Sequence, residues 1–318
     1  MKRFVVGIDV GGTNTEVAII DNDGAILDGF NVSTRCCESF EEYISLISDG
    51  VSDMIKRNNF EQKIEKIGVG APNANFFSGN IEYAPNLLWK GILPFASMLQ
   101  EKTNIPVVLT NDANAAAIGE HVFGGATQMN DFIVVTLGTG LGSGIFSNGK
   151  LIYGHDGFAG ELGHTLVETN HGRLCGCGRR GCLETYVSST GIVTTAIELL
   201  ANNQEKSVLK EIPANQLTSL DISNAANAGD AVAIKAFEYT GKMLAIALAN
   251  VVSITSPEAI FISGGLVKSG KLLFDPLIEN YNNCVMTLFK GKVKILPSLL
   301  CDKNTGLLGA AALAFNNN

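Results

Sequence analysis

The sequence predicts an α/β fold built from two similar halves, and three observations carry that reading. Strand-length and helix-length apolar runs alternate along the chain. A strand, glycine turn, strand unit at 4–20 returns at 132–146. Each copy is followed by a polar turn and another short strand, as duplicated halves require.

The first unit opens with Phe4-Val5-Val6-Gly7-Ile8-Asp9-Val10 and breaks at Gly11-Gly12. It resumes as Glu16-Val17-Ala18-Ile19-Ile20 before the turn Asp21-Asn22-Asp23-Gly24. Apolar residues at helical spacing then predict a helix over 40–57, and a compact apolar run predicts a strand over 64–70. A strand over 107–109 leads into a helix over 114–123, so Asp112 stands at a strand-to-helix junction. The second unit, Phe132 to Phe146, is threaded by Gly138, Gly140, Gly142 and Gly144 and ends in the turn Ser147-Asn148-Gly149. Beyond it come a helix over 231–255, a strand over 259–262 and a final helix over 307–315. The expected architecture is two domains of mixed sheet and helix with a cleft between them. The domains are expected at 1–115, joined by the last helix at about 303–318, and at 116–302, with Asp112 at the cleft.

A chain of 318 residues, 46% hydrophobic and 17% charged, can bury a full core and is not a disordered polymer. Its net charge of −8 repels a phosphate backbone and argues against nucleic acid as a partner. Any anionic ligand must then be held locally, by backbone amides or a metal ion. The first apolar run is cut by Asp9 and the glycine pair, too short for a signal peptide. No later run approaches the about 18 to 20 apolar residues of a membrane span. A soluble, cytoplasmic protein is expected. Three of the seven cysteines fall between 175 and 182, and in a reducing cytosol that clustering points to metal rather than disulfides.

Asp9-Val10-Gly11-Gly12-Thr13-Asn14 sits between two strands. Its glycines let backbone approach an anion, and successive amides with the threonine hydroxyl can cradle phosphate. Asp9 cannot face phosphate directly but can hold the Mg²⁺ that accompanies it. The alternative is an ordinary hairpin turn; a Walker loop would need a Gly-Lys-Ser/Thr ending. The second loop carries Gly138, Thr139 and Gly140, and a strand follows where a dinucleotide-binding turn needs a helix. Gly264-Gly265 follows the last predicted strand and suits either an adenine and ribose or a plain turn. Asp112, within Asn111-Asp112-Ala113-Asn114, is either a helix cap or, in a kinase cleft, the base that takes a hydroxyl proton. Cys175, Cys177 and Cys182 supply three thiolates for a closed zinc site. Spacing alone leaves both His164 and His171 open as its fourth ligand.

Two glycine-rich hairpins in duplicated halves resemble the actin, hexokinase and Hsp70 superfamily. The chain further resembles the ROK family of sugar kinases and related repressors. The motifs that carry this occur in family order: Asp-x-Gly-Gly-Thr, Asn-Asp-Ala-Asn, Leu-Gly-Thr-Gly, Glu161-x-Gly-His164, and Cys-Gly-Cys-Gly-x-x-Gly-Cys-Leu-Glu184. The match runs from Phe4 to the Gly-x-x-Gly-Ala-Ala-Ala run at 306–312. This resemblance implies a two-domain actin-like ATPase fold and transfer of the γ-phosphoryl of ATP to the 6-hydroxyl of a hexose, glucose foremost. It implies Asp112 as base and Asp9 beside Mg²⁺. It implies nucleotide contacts from Gly11, Gly12, Thr13, Asn14, Gly138, Thr139, Gly140, Gly264 and Gly265. Sugar hydroxyls would bind Asn86, Asn111, Asp112, Glu161, His164 and Glu184. His164 would complete the Zn²⁺ site with one ring nitrogen and serve the sugar with the other. A homodimer or tetramer is implied as well. Two positions depart from the family: Asn73 stands where it commonly has glycine, and the stretch from His164 to Cys175 is one residue longer.

A ROK repressor would need an additional N-terminal DNA-binding domain, whereas this chain begins directly at the nucleotide loop. A cytoskeletal or chaperone-like ATPase would need neither the zinc motif nor the sugar-binding carboxylates. Kinases for N-acetylmannosamine, N-acetylglucosamine, allose or fructose would use nearly the same residues; a non-catalytic sugar-sensing regulator is the further alternative, but it could dispense with the aspartate that is present at 112.

Overall fold

The computed structural model describes residues 2–202, 206–300 and 304–316. The chain divides into two compact units, 1–130 with 144–160 and 298–318, and 131–143 with 161–297. The N-terminal meander is β1 (Phe4–Val10), β2 (Asn14–Asp21) and β3 (Ile26–Ser33), followed by α1 (Phe40–Arg57) and β4 (Ile64–Ala71). Three short strands, β5 (Ala74–Asn75), β6 (Asn80–Glu82) and β7 (Ile92–Leu93), form a small sheet of their own before α2 (Phe95–Thr103). Then come β8 (Val107–Asn111) and α3 (Asp112–Phe123). The main sheet runs β3-β2-β1-β4-β8, antiparallel through the meander and parallel from β1 to β8.

The remaining elements are β9 (Phe132–Leu137), β10 (Leu141–Ser147), β11 (Lys150–Leu151), α4 (Ser189–Asn202), α5 (Ser219–Asn227) and α6 (Ala231–Thr255). They continue through β12 (Ala259–Ser263), α7 (Lys271–Cys284), β13 (Lys294–Pro297) and α8 (Thr305–Phe315). Their sheet runs β11-β10-β9-β12-β13, again with the fourth and fifth strands parallel to the central first one. The repeated strand order is the duplication that the two hairpins predict. The expected strands and helices are all present; α2, α4, α5, α7, β13 and the small sheet lie outside what the sequence predicts. The first unit takes in all of α3, so its edge lies past the boundary expected at 115. Among the described residues no helix is long and apolar enough to cross a membrane.

Alternation along β1 decides where the chemistry sits. Val6, Ile8 and Val10 face one side, where Tyr43, Ile44 and Ile47 of α1 and Phe95 and Leu99 of α2 complete a core. Val5 faces the other side with Ala18, Ile20 and the α8 residues Leu307, Leu308, Ala311 and Ala314. By the two-residue period of a strand, Gly7 and Asp9 share this second side. A one-residue slip of β1 would exchange the two sets and strand three large side chains, each worth about 1.5–3 kcal/mol of burial. β-Carbons at Gly7 and at Gly68 of β4 would lie 2.8 Å from the Leu307 carbonyl oxygen and 1.9 Å from that of Ala310. These two glycines therefore let α8 lie directly on the sheet and bring its first turn to Asp9.

Candidate functional site

Asp9 pairs with Glu16 across the first hairpin and sits half-buried beneath the first turn of α8. Gly306 makes the room: a β-carbon there would be 1.9 Å from Asp9 Oδ2. Removal from water, then the charges of Asp112 and Glu16, push the Asp9 carboxyl up to about 7. The turn beyond it is closed by the Gly11 N–H donating to the Asn14 carbonyl at 2.9 Å. Gly12 packs on Asn86, whose carbonyl oxygen would be 3.1 Å from an added β-carbon. Thr13 and Asn14 are exposed. The segment after β3 grips this turn from outside, with Thr34 N–H to Thr13 O at 2.8 Å and Arg35 Nε to Gly12 O at 3.1 Å.

Strand β8 ends at Asn111, whose φ of −58° and ψ of 146° are not helical. Its Oδ1 accepts the Ala113 N–H at 2.7 Å and the Asn114 N–H at 3.3 Å. Asn111, not Asp112, therefore caps α3, because helical geometry begins only at Asp112. This leaves the Asn111 amide nitrogen as its donor for any hydroxyl. Asp112 is open to solvent, and its Oδ1 also takes the Ala113 N–H, at 2.8 Å. One edge of the residue meets solvent, but the protein around the carboxyl still screens it from part of the bulk water, and this desolvation raises its pKa against the opposing Ala113 hydrogen bond. Accessible and more basic than a free aspartate, it has what a general base needs. Asn73, in the glycine position, adopts a φ of +51°, and its Nδ2 donates to the Glu82 carbonyl at 3.1 Å.

In the second unit the turn between β9 and β10 is closed by Gly138 N–H to Gly140 O at 3.0 Å. The start of α4 holds it, with Ser189 N–H to Gly138 O at 2.8 Å and Thr190 Oγ1 to Thr139 O at 2.9 Å. The glycines divide by role. β-Carbons at Gly138 and Gly265 would meet nothing within 4 Å, so both keep backbone open to a ligand. At Gly140 a β-carbon would lie 2.3 Å from Glu184 Oε2, the oxygen that accepts the Leu141 N–H at 3.0 Å. At Gly264, φ +96°, it would lie 2.3 Å from the Leu137 carbonyl oxygen. Packing by itself already favours glycine at these two positions.

The donor atoms of His164, Cys175, Cys177 and Cys182 lie within 4.8 Å of one another. Cys175 Sγ is 3.6 Å from His164 Nδ1, and Cys177 Sγ is 3.6 Å from Cys182 Sγ. A tetrahedral zinc with bonds of about 2.3 Å to sulfur and about 2.0–2.1 Å to nitrogen sets its ligands about 3.6–3.8 Å apart, so the donor set fits. His171 is exposed at a φ of +61° and is not in this group. His164 Nε2 faces Glu161 Oε2 at 4.0 Å, and Glu184 Oε1 is 3.9 Å from Cys175 Sγ. Glu161, His164 and Glu184 thus gather around the cluster. Without metal, burial pushes the Cys182 thiol up to about 12, while a backbone hydrogen bond from Arg179 draws Cys177 down to about 6.

Three further residues shape the site. Glu16 was legible, since a hairpin turning at 11–13 pairs position 9 with 16. Gly306 was visible only as a motif letter. Nothing marked Arg173, which fastens the cysteine loop by bonding Thr185 O at 2.7 Å and Thr195 Oγ1 at 3.0 Å while lying 4.6 Å from the Tyr186 ring centre. The first unit holds Asp9, the 11–14 turn, Asn86, Asn111 and Asp112. The second holds the 138–140 turn, Glu161, the cluster, Glu184 and the 264–265 pair.

The ROK family profile matches residues 5–317. A glucokinase from Halalkalibacterium halodurans is 34% identical over 286 residues, 88% of this chain and 85% of its own. A xylose repressor from Caldicellulosiruptor bescii is 30% identical over 98% of this chain and 78% of its own. The crystal structure of a ROK family glucokinase from Streptomyces griseus in complex with glucose and AMPPNP is 32% identical, with a TM-score of 0.81. That likeness covers 98% of this chain and 99% of the other. The fold is the actin-like ATPase fold that the paired hairpins predict.

Proposed function

We propose that this chain, which belongs to the ROK family, is an ATP-dependent glucokinase that transfers the γ-phosphoryl group of ATP to the 6-hydroxyl of glucose. The observation that carries this is Asp112: Asn111 is the cap of α3, and the Asp112 carboxylate, with Oδ1 on the Ala113 N–H, is exposed at the head of the helix and raised in basicity. It takes the 6-hydroxyl proton as the phosphoryl group passes, a role worth about 10²- to 10⁴-fold in rate. Phosphoryl transfer otherwise asks a protein for positioning and charge stabilisation. Backbone at Gly11, Gly12, Gly138 and Gly265, with Thr13, Asn14 and Thr139, receives the nucleotide. Asn86, the Asn111 amide, Glu161, His164 Nε2 and Glu184 bind the remaining hydroxyls, and an epimer that left one of them unpaired would be rejected.

Asp9, with Glu16 across the hairpin, would hold Mg²⁺, which when bound neutralises phosphate charge. His164, Cys175, Cys177 and Cys182 would hold Zn²⁺, which when bound would supply rigidity to the His164 ring and the cysteine loop. A reducing cytoplasm, where those thiols stay available, is part of this reading, as is a homodimer or tetramer. The test is ADP release with glucose, mannose, fructose, allose, N-acetylglucosamine and N-acetylmannosamine in turn. Glucose should give the highest kcat/KM; ATP turnover indifferent to every sugar would remove the kinase reading.

A further inference from the structure

We propose that Cys36 and Cys37 are a reversible oxidation site, a vicinal dithiol whose closure to a disulfide loosens the first glycine turn. Their sulfurs are 3.2 Å apart, with Cys36 exposed and Cys37 half-buried against the core of the first unit. They lie in a segment anchored at both ends. Upstream, Thr34 and Arg35 bond the carbonyls of Thr13 and Gly12 as described, and Ser33 Oγ reaches Thr13 O at 3.4 Å. Downstream, Ser39 and Glu42 form a capping box at the start of α1, and the Glu38 carbonyl accepts the Trp89 indole N–H at 3.2 Å. Trp89 stands three residues beyond Asn86, with its ring 4.6 Å from that of Tyr43, whose hydroxyl is 2.6 Å from Thr15 Oγ1. A twist at 36–37 therefore reaches both the Gly12–Thr13 turn and the Asn86 segment.

Consecutive α-carbons are about 3.8 Å apart, short of the about 4.4–6.8 Å that disulfides usually span. Closing this ring must twist the backbone, and thiols should reopen it readily. Such a bond suits a switch better than a staple. With a low-molecular-weight disulfide RSSR as oxidant, the Cys36 thiolate attacks one sulfur, forms the Cys36–SR mixed disulfide and releases RS⁻. The Cys37 thiolate then attacks the Cys36 sulfur, the Sγ–Sγ bond forms, and the second RS⁻ leaves. The two thiols lose two electrons and two protons, and RSSR becomes two RSH. Cys36 attacks first because it is exposed, whereas burial pushes the Cys37 thiol up to about 11.

The test incubates the zinc-loaded full chain with oxidised glutathione and maps it with trypsin. Cleavage after Arg35 and Lys56 releases 36–56, which holds only these two cysteines. The peptide should lose two hydrogens and regain them with dithiothreitol. Emission from Trp89, the single tryptophan, should shift over the same time course, and glucose-dependent ADP release should fall at least about threefold and recover. Cys36→Ser and Cys37→Ser variants should keep full activity and show none of these changes. A stable glutathione adduct on Cys36, an unmodified peptide, or a closed ring with unmoved Trp89 emission or undiminished activity would overturn the proposal. Peptide mass and Trp89 emission involve neither sugar nor ATP, so they stand even if the kinase reading fails.

Discussion

The Asp9 carboxylate and the first turn of α8 occupy complementary space, for a β-carbon on Gly306 would stand 1.9 Å from Asp9 Oδ2. Gly306→Ala should push the carboxylate aside and lower kcat/KM for Mg·ATP by about tenfold or more, equivalent to about 1.4 kcal/mol, with little change in KM for glucose. Steady-state kinetics over a range of Mg²⁺ reads this directly. A variant with unchanged Mg²⁺ dependence would make the contact merely structural.

Asp9 also sets a pH dependence. Its carboxyl is raised from 3.8 to about 7, so the fold binds that proton more tightly than the unfolded chain does. Its contribution to Mg²⁺-free stability is therefore fully present below about pH 4 and is lost as pH rises through 7. Asp9→Asn removes the charge responsible. In Mg²⁺-free buffer the variant should melt above the wild type at pH 8, with the gap closing as pH falls toward 4. A constant gap across that range would assign the shift to another group.

Gly138 and Gly140 separate ligand approach from packing. Gly138→Val meets open space in the protein, so the fold should hold while KM for ATP rises about tenfold or more through obstructed backbone. Gly140→Val strikes Glu184 and should raise KM for glucose as well as for ATP. Equal behaviour of the two variants would deny the division of roles drawn between them.

What the sequence made legible was whatever depends on neighbours along the chain: both hairpins, the strand-to-helix junction at Asp112, and the cysteine loop. Contacts set by distance of approach were not legible. Whether Asn111 or Asp112 caps α3 turns on where β8 geometry stops, a matter of one residue. The place of Gly306 against Asp9 follows from Gly7 and Gly68 letting α8 onto the sheet, and α8 is 296 or more residues away in sequence by position alone. The fourth metal ligand stayed open on spacing; tertiary structure brings His164 to the sulfurs and leaves His171 outside.

That assignment gives a clean contrast. Purified protein should carry about one zinc per chain. Cys177→Ala should lose it, melt several degrees lower, and bind glucose poorly as His164 and Glu184 drift. His171→Ala should keep both zinc and activity. Metal analysis decides: zinc lost from the His171 variant and kept by a His164 variant would reverse the ligand set.

The most direct measurement is glucose-dependent ADP release by Asp112→Asn, paired with glucose binding by calorimetry. The amide keeps the shape and the Ala113 N–H bond but cannot accept the 6-hydroxyl proton. Turnover should fall by about 10²- to 10⁴-fold while glucose affinity stays within about threefold of wild type. A variant that binds glucose normally and retains more than about a tenth of kcat would take Asp112 out of the reaction and the mechanism with it.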